Sequence, residues 1–195
     1  GEYAARVAHG LGATVKVFDN SVYRLRRLQS SLGVRIFTSI IQPKVLGKHL
    51  RTADVAIGAL RTTGGRTPCV VTEDMVSEMK VGAVVIDVSI DQGGCFETSK
   101  VTNHTQPVFR KHGVIHYCVP NIASRVSRTA SYALSTIFAP ILLNIGEEGG
   151  LQNMLRVNSG VRHGVYLYNG ILTNKYLGDS FNLPSKDIDL FLSAL

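Results

Sequence analysis

The sequence has no tryptophan and only three cysteines among its 195 residues. Cys69, Cys95 and Cys118 are odd in number and form no C-x-x-C pair, which excludes a disulfide framework and a metal cluster of ordinary spacing. Unpaired thiols suit a reducing cytosol, and all three are expected to serve as small buried hydrophobes. Acidic residues are also short, at 14 against 21 Lys and Arg, giving a formal charge of +7. The excess is scattered. Arg24, Arg26 and Arg27 form its dense cluster, and without tryptophan this argues against a nucleic-acid surface; such modest basicity suits an anionic small ligand or carries no function. No charged-then-apolar stretch opens the chain, so no signal peptide is expected. The long apolar run from Ala130 to Ile145 is interrupted by Ser131, Ser135, Thr136, Pro140 and Asn144. It is expected to be too short and too polar to span a bilayer. There is no low-complexity segment and no repeat with a period of about 20–50 residues.

What is present is a folded α/β pattern. Hydrophobic residues make up 45% and charged residues 18%, enough for one or two domains with a real core. The organising stretch is Ala83-Val84-Val85-Ile86-Asp87-Val88-Ser89-Ile90, which reads as a strand buried on both faces. It is followed by Asp91-Gln92-Gly93-Gly94, where paired glycines allow a sharp turn and close approach to a ligand. Ligands of open α/β sheets bind beyond the carboxyl ends of the strands. Asp91 therefore stands where chemistry is expected, the alternative being a solvated turn acid.

Upstream, Glu2 to Leu11 reads as a helix with Ala4, Val7, Ala8 and Leu11 on one face, ended by Gly12. Thr14 to Asp19 reads as a strand ending in an acid. Asp19 follows Gly1 by 18 residues, close to the roughly 20 that separate a dinucleotide fold's glycine motif from its ribose-binding acid. Gly1 is then the last glycine of G-x-G-x-x-G; the alternative is a helix-capping glycine and a turn Asp. Val22 to Leu32 predicts a helix striped by Val22, Leu25, Leu28 and Leu32, with the three arginines solvated and Gly33 stopping it. Val34 to Phe37 predicts a strand, Pro43 to Arg51 a helix, and Asp54 to Leu60 a buried strand in which Gly58 marks close backbone approach. Arg61 to Pro68 is a basic loop, and Thr72 caps a helix that starts with Glu73 and Asp74.

Cys95 to Gly113 is expected to be irregular, with His104 and His112 as exposed loop residues too far apart for a metal pair. Val114 to Val119 predicts a last sheet strand, whose end brings Asn121 to the same crevice as Asp91. Leu134, Ile137, Phe138, Ile141, Leu142 and Ile145 then repeat at helical spacing, with a kink expected at Pro140 and a break over 146–150. Asn169-Gly170 predicts a turn between two extended pieces. A helix from Lys175 and an amphipathic tail over 187–195 complete the chain. A domain boundary is expected near Asn121. The fold class is a doubly wound, Rossmann-like parallel α/β sheet lacking its first strand, followed by a mostly helical segment.

Several stretches in one register resemble the family of alanine dehydrogenase and the α subunit of proton-translocating transhydrogenase. They are Gly1-Glu2-Tyr3-Ala4-Ala5-Arg6, Asp19, residues 53–59, the run from Val85 to Thr98, His116-Tyr117-Cys118-Val119-Pro120-Asn121, and Tyr168-Asn169-Gly170-Ile171-Leu172-Thr173. The Asp91-Gln92-Gly93-Gly94-Cys95 sequence looks like alanine dehydrogenase more than transhydrogenase, which tends to carry Glu before its glycine pair. The resemblance implies NAD as cofactor and L-alanine and pyruvate as substrates, in a cytoplasmic homo-oligomer, a hexamer. It implies that Gly1 belongs to the pyrophosphate turn, that Asp19 holds the adenosine ribose with Arg24 nearby, and that Ala59 and Leu60 line the cofactor crevice. Val88, Asp91, Val119, Asn121 and Ile122 would surround the nicotinamide, with Asp91 and Asn121 at the chemistry.

The resemblance divides the chain into an NAD-binding domain over 1–121, and a connecting helix with part of the catalytic domain over 122–195. Two departures alter the pocket wall: Leu60-Arg61-Thr62-Thr63-Gly64 replaces a Val-Leu-Ile-Pro-Gly type of loop, and Ile122 stands where Met is common. The family's substrate-binding Lys, His and Arg come from an N-terminal half not represented in this sequence. The competing functions are the cofactor domain of a transhydrogenase and a nucleotide-binding module with no chemistry of its own.

Overall fold

The computed structural model describes residues 1–62 and 65–192. In chain order the first elements are α1 (Glu2–Gly10), β1 (Lys16–Phe18), α2 (Val22–Leu32), β2 (Phe37–Ser39), α3 (Pro43–Leu50) and β3 (Val55–Gly58). After them come α4 (Glu73–Ser77), β4 (Val84–Asp87), β5 (Val108–Lys111) and β6 (Val114–Tyr117). The later part holds α5 (Ser127–Glu147), α6 (Leu151–Val157), α7 (Ser159–His163), β7 (Leu167–Tyr168), β8 (Ile171–Leu172), α8 (Lys175–Phe181) and α9 (Ile188–Leu192). The chain divides into two compact units, Gly1–Ile122 and Ala123–Leu195.

In the first unit, β1 and β2 pair in parallel, and a second sheet runs β3-β4-β6-β5. β3, β4 and β6 are parallel and β5 is antiparallel to β6. A doubly wound sheet runs 3-2-1-4-5-6. Here β2 and β1 take the places of strands 3 and 2, and β3, β4 and β6 those of strands 4 to 6. Among the described residues no strand lies between β1 and β3. The core is built from the β4 and β6 residues Val85 and Val114 and from Val76 of α4, each fully buried. In the second unit Leu155, Tyr168 and Ile188 form a separate core.

Local signals hold where the chain's own geometry decides. The Thr72 hydroxyl accepts the Met75 N–H at 3.3 Å, with Glu73 and Asp74 in the first turn of α4. Gly33 closes α2 at φ 70°. Asn169 and Gly170 both have positive φ, the pairing that a two-residue hairpin turn between β7 and β8 requires.

Several expectations need correction. The strand expected over 83–90 stops at Asp87, and Ile90–Gln92 forms a 3-10 turn instead. The strand expected at 34–37 lies at Phe37–Ser39, and 95–113, expected to be irregular, contains β5. In α1 Ala5 is the buried residue, whereas Val7 and Leu11 are exposed. The helix packs through its smallest side chains, which allow the closest approach. Cys69 is exposed, so only Cys95 and Cys118 are buried thiols. The basic loop 61–68 includes 63–64, and the tail 187–195 includes 193–195, which lie outside the described residues.

The expectation for the apolar run at Ala130–Ile145 also changes. It belongs to a 26-residue helical stretch, Ile122–Glu147, which contains an 18-residue window of mean hydropathy 1.3 and is long and apolar enough by length and composition to cross a membrane. Core helices of soluble proteins pass the same test. The interrupting residues Ser131, Ser135, Thr136, Pro140 and Asn144 carry no charge. One of them satisfies its own hydroxyl, Thr136 Oγ1 donating to the Tyr132 carbonyl at 2.9 Å. Pro140 lies inside α5, which ends at Glu147 before α6 starts at Leu151, so the helix breaks within 146–150 as expected.

Candidate functional site

The site begins with strand ends. β1, β3, β4 and β6 point their carboxyl ends the same way within their sheets, so the loops that follow gather polar groups beyond each sheet. At the end of β1 the Asp19 Oδ1 accepts the Ser21 N–H at 2.7 Å, while its Oδ2 lies 3.8 Å from Arg24 Nη1. Ser21 caps α2, its hydroxyl accepting the Arg24 N–H. One carboxylate oxygen thus shapes the turn, and the other faces a half-exposed guanidinium.

Gly1, Asp19, Arg24, Ala59 and Leu60 line one cleft of about 800 Å3 between the residues of β1 and β3. Gly1 stands at the start of α1, and a side chain there would meet the Ala59 Cβ at 3.6 Å. The backbone of α1's first turn therefore lies close against the end of β3. Arg27, also on the cleft wall, reaches Glu2 at 3.9 Å.

A second group forms at the ends of β4 and β6. The Asp91 Oδ1 accepts the Asn121 backbone N–H at 2.8 Å, joining positions 30 residues apart. Asn121 has φ 50°, a conformation that Asn tolerates better than most residues. Val88 and Ile122 are partly exposed beside them, at 39% and 38%. Val119 is buried at 4%, so its side chain belongs to the support of the site and not to its accessible surface. The two groups are tied together: Ser89 Oγ donates to the Leu60 carbonyl at 2.9 Å, and the Val88 N–H donates to the Gly58 carbonyl at 2.8 Å.

Beneath both lies a residue that the sequence reading did not single out. Asp87, at the end of β4, is 1% exposed. It accepts the N–H groups of Ser89, Cys95 and Phe96 and the hydroxyl of Ser99. The available signal was a charged residue inside an otherwise apolar strand, since a buried carboxylate must find partners. Gly58 makes the room: a Cβ there would come within 2.6 Å of the Phe96 ring and would overlap the Cys95 sulfur. Burial, then the charge of Asp87, pushes the Cys95 thiol up to about 12. It stays protonated and is no nucleophile.

His116 is also fully buried. Its Nε2 pairs with the Thr98 hydroxyl at 2.8 Å, its Nδ1 with the Val114 carbonyl at 3.1 Å, and its ring stacks on Phe109. Burial holds its pKa below the ordinary histidine value. With both ring nitrogens occupied it is a neutral structural histidine. His112 is exposed and pairs with Glu73 at 2.7 Å. No cluster of metal-ligating side chains occurs among the described residues.

Parallel strands with connecting helices and polar groups gathered at the strand ends define a Rossmann-like α/β protein. The chain belongs to the alanine dehydrogenase/PNT family: residues 1–175 match the model of that family's C-terminal domain. It is 37% identical over 190 residues to alanine dehydrogenase 2 of Staphylococcus aureus strain USA300, covering 97% of this chain and 51% of the relative. The alanine dehydrogenase 2 of strain NCTC 8325 matches to the same extent. Among solved structures, an L-alanine dehydrogenase superposes with a TM-score of 0.81 at 34% identity, over 92% of this chain and 49% of the other. A transhydrogenase from Sinorhizobium meliloti superposes with a TM-score of 0.65 at 24% identity, over 80% of this chain and 42% of that one, a likeness of fold alone. The chain spans about half the length of the curated relatives it matches.

Proposed function

We propose that this chain is the carboxyl-terminal part of an NAD-dependent alanine dehydrogenase, which interconverts L-alanine with pyruvate and ammonium. The observation that carries this reading is the match to alanine dehydrogenases along 97% of the chain, with Asp91 and Asn121 joined at the strand ends within it. In this reading 1–121 binds NAD, and 122–195 is a connecting helix and part of the catalytic domain.

The residues present fit the cofactor. An acid at the end of β1 and a close backbone approach of Gly1 to Ala59 stand together at the strand ends. Gly1 and the start of α1 would hold the pyrophosphate. Asp19 would accept the ribose hydroxyls, its orientation fixed by the Ser21 N–H. Ala59 and Leu60 would form the cleft wall, and Val88 and Ile122 would enclose the nicotinamide, with the buried Val119 supporting them. Bound NAD supplies the hydride acceptor. Asp91 holds a polar group beside the reacting carbon, and the Asn121 backbone fixes its direction.

The three free thiols support a cytoplasmic setting. Assembly as a homo-oligomer, a hexamer, follows from the resemblance. The test is NADH formation from L-alanine by the full-length protein, with calorimetric titration of NAD. Turnover and NAD binding are expected; NAD binding without turnover of alanine would return the chain to a nucleotide-binding module.

A further inference from the structure

We propose that Asp87 is the positioning residue of this site: a buried carboxylate that sets where Asp91 stands without reaching the cleft itself. The Asp87 Oδ1 accepts the Ser89 N–H at 3.0 Å, and the Cys95 thiol donates to the same oxygen at 3.7 Å. Its Oδ2 accepts the Cys95 N–H at 2.9 Å, the Ser99 hydroxyl at 2.6 Å and the Phe96 N–H at 3.4 Å. Among the described residues no Lys, Arg or His forms an ion pair with it. A buried carboxylate without a cation depends wholly on such donors. Here every donor comes from one short segment, 89–99.

Those donors bracket Asp91. Ser89 precedes it by two residues and Cys95 follows it by four, so the carboxylate fastens both ends of one turn. The turn closes on itself through the Gly94 N–H to the Ser89 carbonyl at 3.0 Å and the Gly93 N–H to the Ile90 carbonyl at 2.9 Å. Two glycines make room for the carboxylate: a Cβ at Gly94 would stand 2.6 Å from Oδ2, and one at Gly58 3.3 Å from Oδ1. Gly94 also has φ 77°, which disfavours any side chain. Ser89 Oγ ties the same turn to Leu60 at the end of β3. What leaves this clamp is Asp91, whose carboxylate accepts the Asn121 N–H. Asp87 thus acts on the site through the turn and has no contact with a substrate of its own.

The geometric claim stands apart from the proposed chemistry; its effect on turnover rests on that reading. The Asn121 amide resonance of the full-length protein reports directly whether Asp91 is in place. Asp91→Ala marks the position of that resonance with the bond removed. Asp87→Asn presents an amide NH2 to backbone donors, so it should move the Asn121 resonance toward the Asp91→Ala position. It should also lower kcat about tenfold with KM for alanine little changed, as misplacement of a reacting group does. Ser99→Ala removes one donor and keeps the carboxylate, so it should act in the same direction and less. Should Asp87→Asn fail to fold, Ser99→Ala carries the test alone. Val76→Ala, a core truncation, should lower Tm and leave the Asn121 resonance unmoved. An Asn121 resonance that stays in place in each of the two variants, Asp87→Asn and Ser99→Ala, that folds, while Tm falls, overturns the proposal. If the resonance moves but the wild type never turns over alanine, the positioning role stands and the dehydrogenase reading fails.

Discussion

The Asp91 carboxylate accepts the backbone N–H of Asn121 at 2.8 Å, so the turn after β4 is fastened to the segment after β6. Parallel pairing of these two strands brings both ends to one side, and the left-handed backbone at Asn121 presents the N–H to the acid. Asp91 is exposed, so its hydrogen bond serves to orient it more than to stabilise the core.

That exposure sets the outcome for Asp91→Asn. The amide oxygen still accepts the Asn121 N–H, so Tm should change little. In the full-length enzyme kcat should fall by about 100-fold, the scale of losing the positioning of reacting groups. Early melting with near-normal turnover would assign the acid to the turn alone.

Asp19 should favour NAD over NADP, because a carboxylate at a strand end repels a 2′-phosphate. Arg24, 3.8 Å away, tempers that repulsion. Asp19→Ser should weaken NAD and narrow the preference by about tenfold, which corresponds to roughly 1.4 kcal/mol. Calorimetric titration of both nucleotides checks it; equal affinity in the wild type would contradict it.

Gly58→Ala should destabilise the first unit. The added methyl would overlap the Cys95 sulfur and press on Phe96, an overpacking cost of about 1–3 kcal/mol. A lowered urea midpoint with unchanged m-value is expected. Cys95→Ala in the same chain should recover part of the loss, since it removes the closest obstacle.

His116 predicts the acid side of the stability curve. Burial lowers its folded-state pKa below the ordinary 6.5, so the unfolded chain binds the proton more readily. Its contribution is complete above about pH 6.5 and is lost as pH falls from there toward the folded-state pKa. Urea midpoints at pH 5 and 7.5 should differ in the wild type. The difference should shrink in His116→Gln, which keeps a polar partner for Thr98 and does not titrate.

How much the sequence determined depends on the range of the interaction involved. The Thr72 cap, the Asn169-Gly170 turn and the αL glycine after α2 are decided within a few residues, and each is found where the sequence places it. The alternation of helices and parallel strands follows in the same way from local apolar periodicity. Close approach at Gly58 was legible because a glycine at the end of an apolar strand has few other uses, although its neighbours Cys95 and Phe96 were not, and β3 is buried on one face alone, with Val55 and Ile57 exposed. The end of β4 was not legible. Val88, Ser89 and Ile90 are as strand-like as the residues before them, yet the strand stops at Asp87. Its carboxylate draws donors from Ser89, Cys95, Phe96 and Ser99, and only the folded chain brings those together. β5 was hidden for a similar reason: Val108–Lys111 becomes a strand by pairing with β6, and pairing energy is not written in a segment's own propensity. Local sequence chose the kinds of element and the turns between them. Where strands end, which helix face is buried and which acid is structural were decided by hydrogen bonds and packing between residues distant in the chain, which form only when the tertiary structure does.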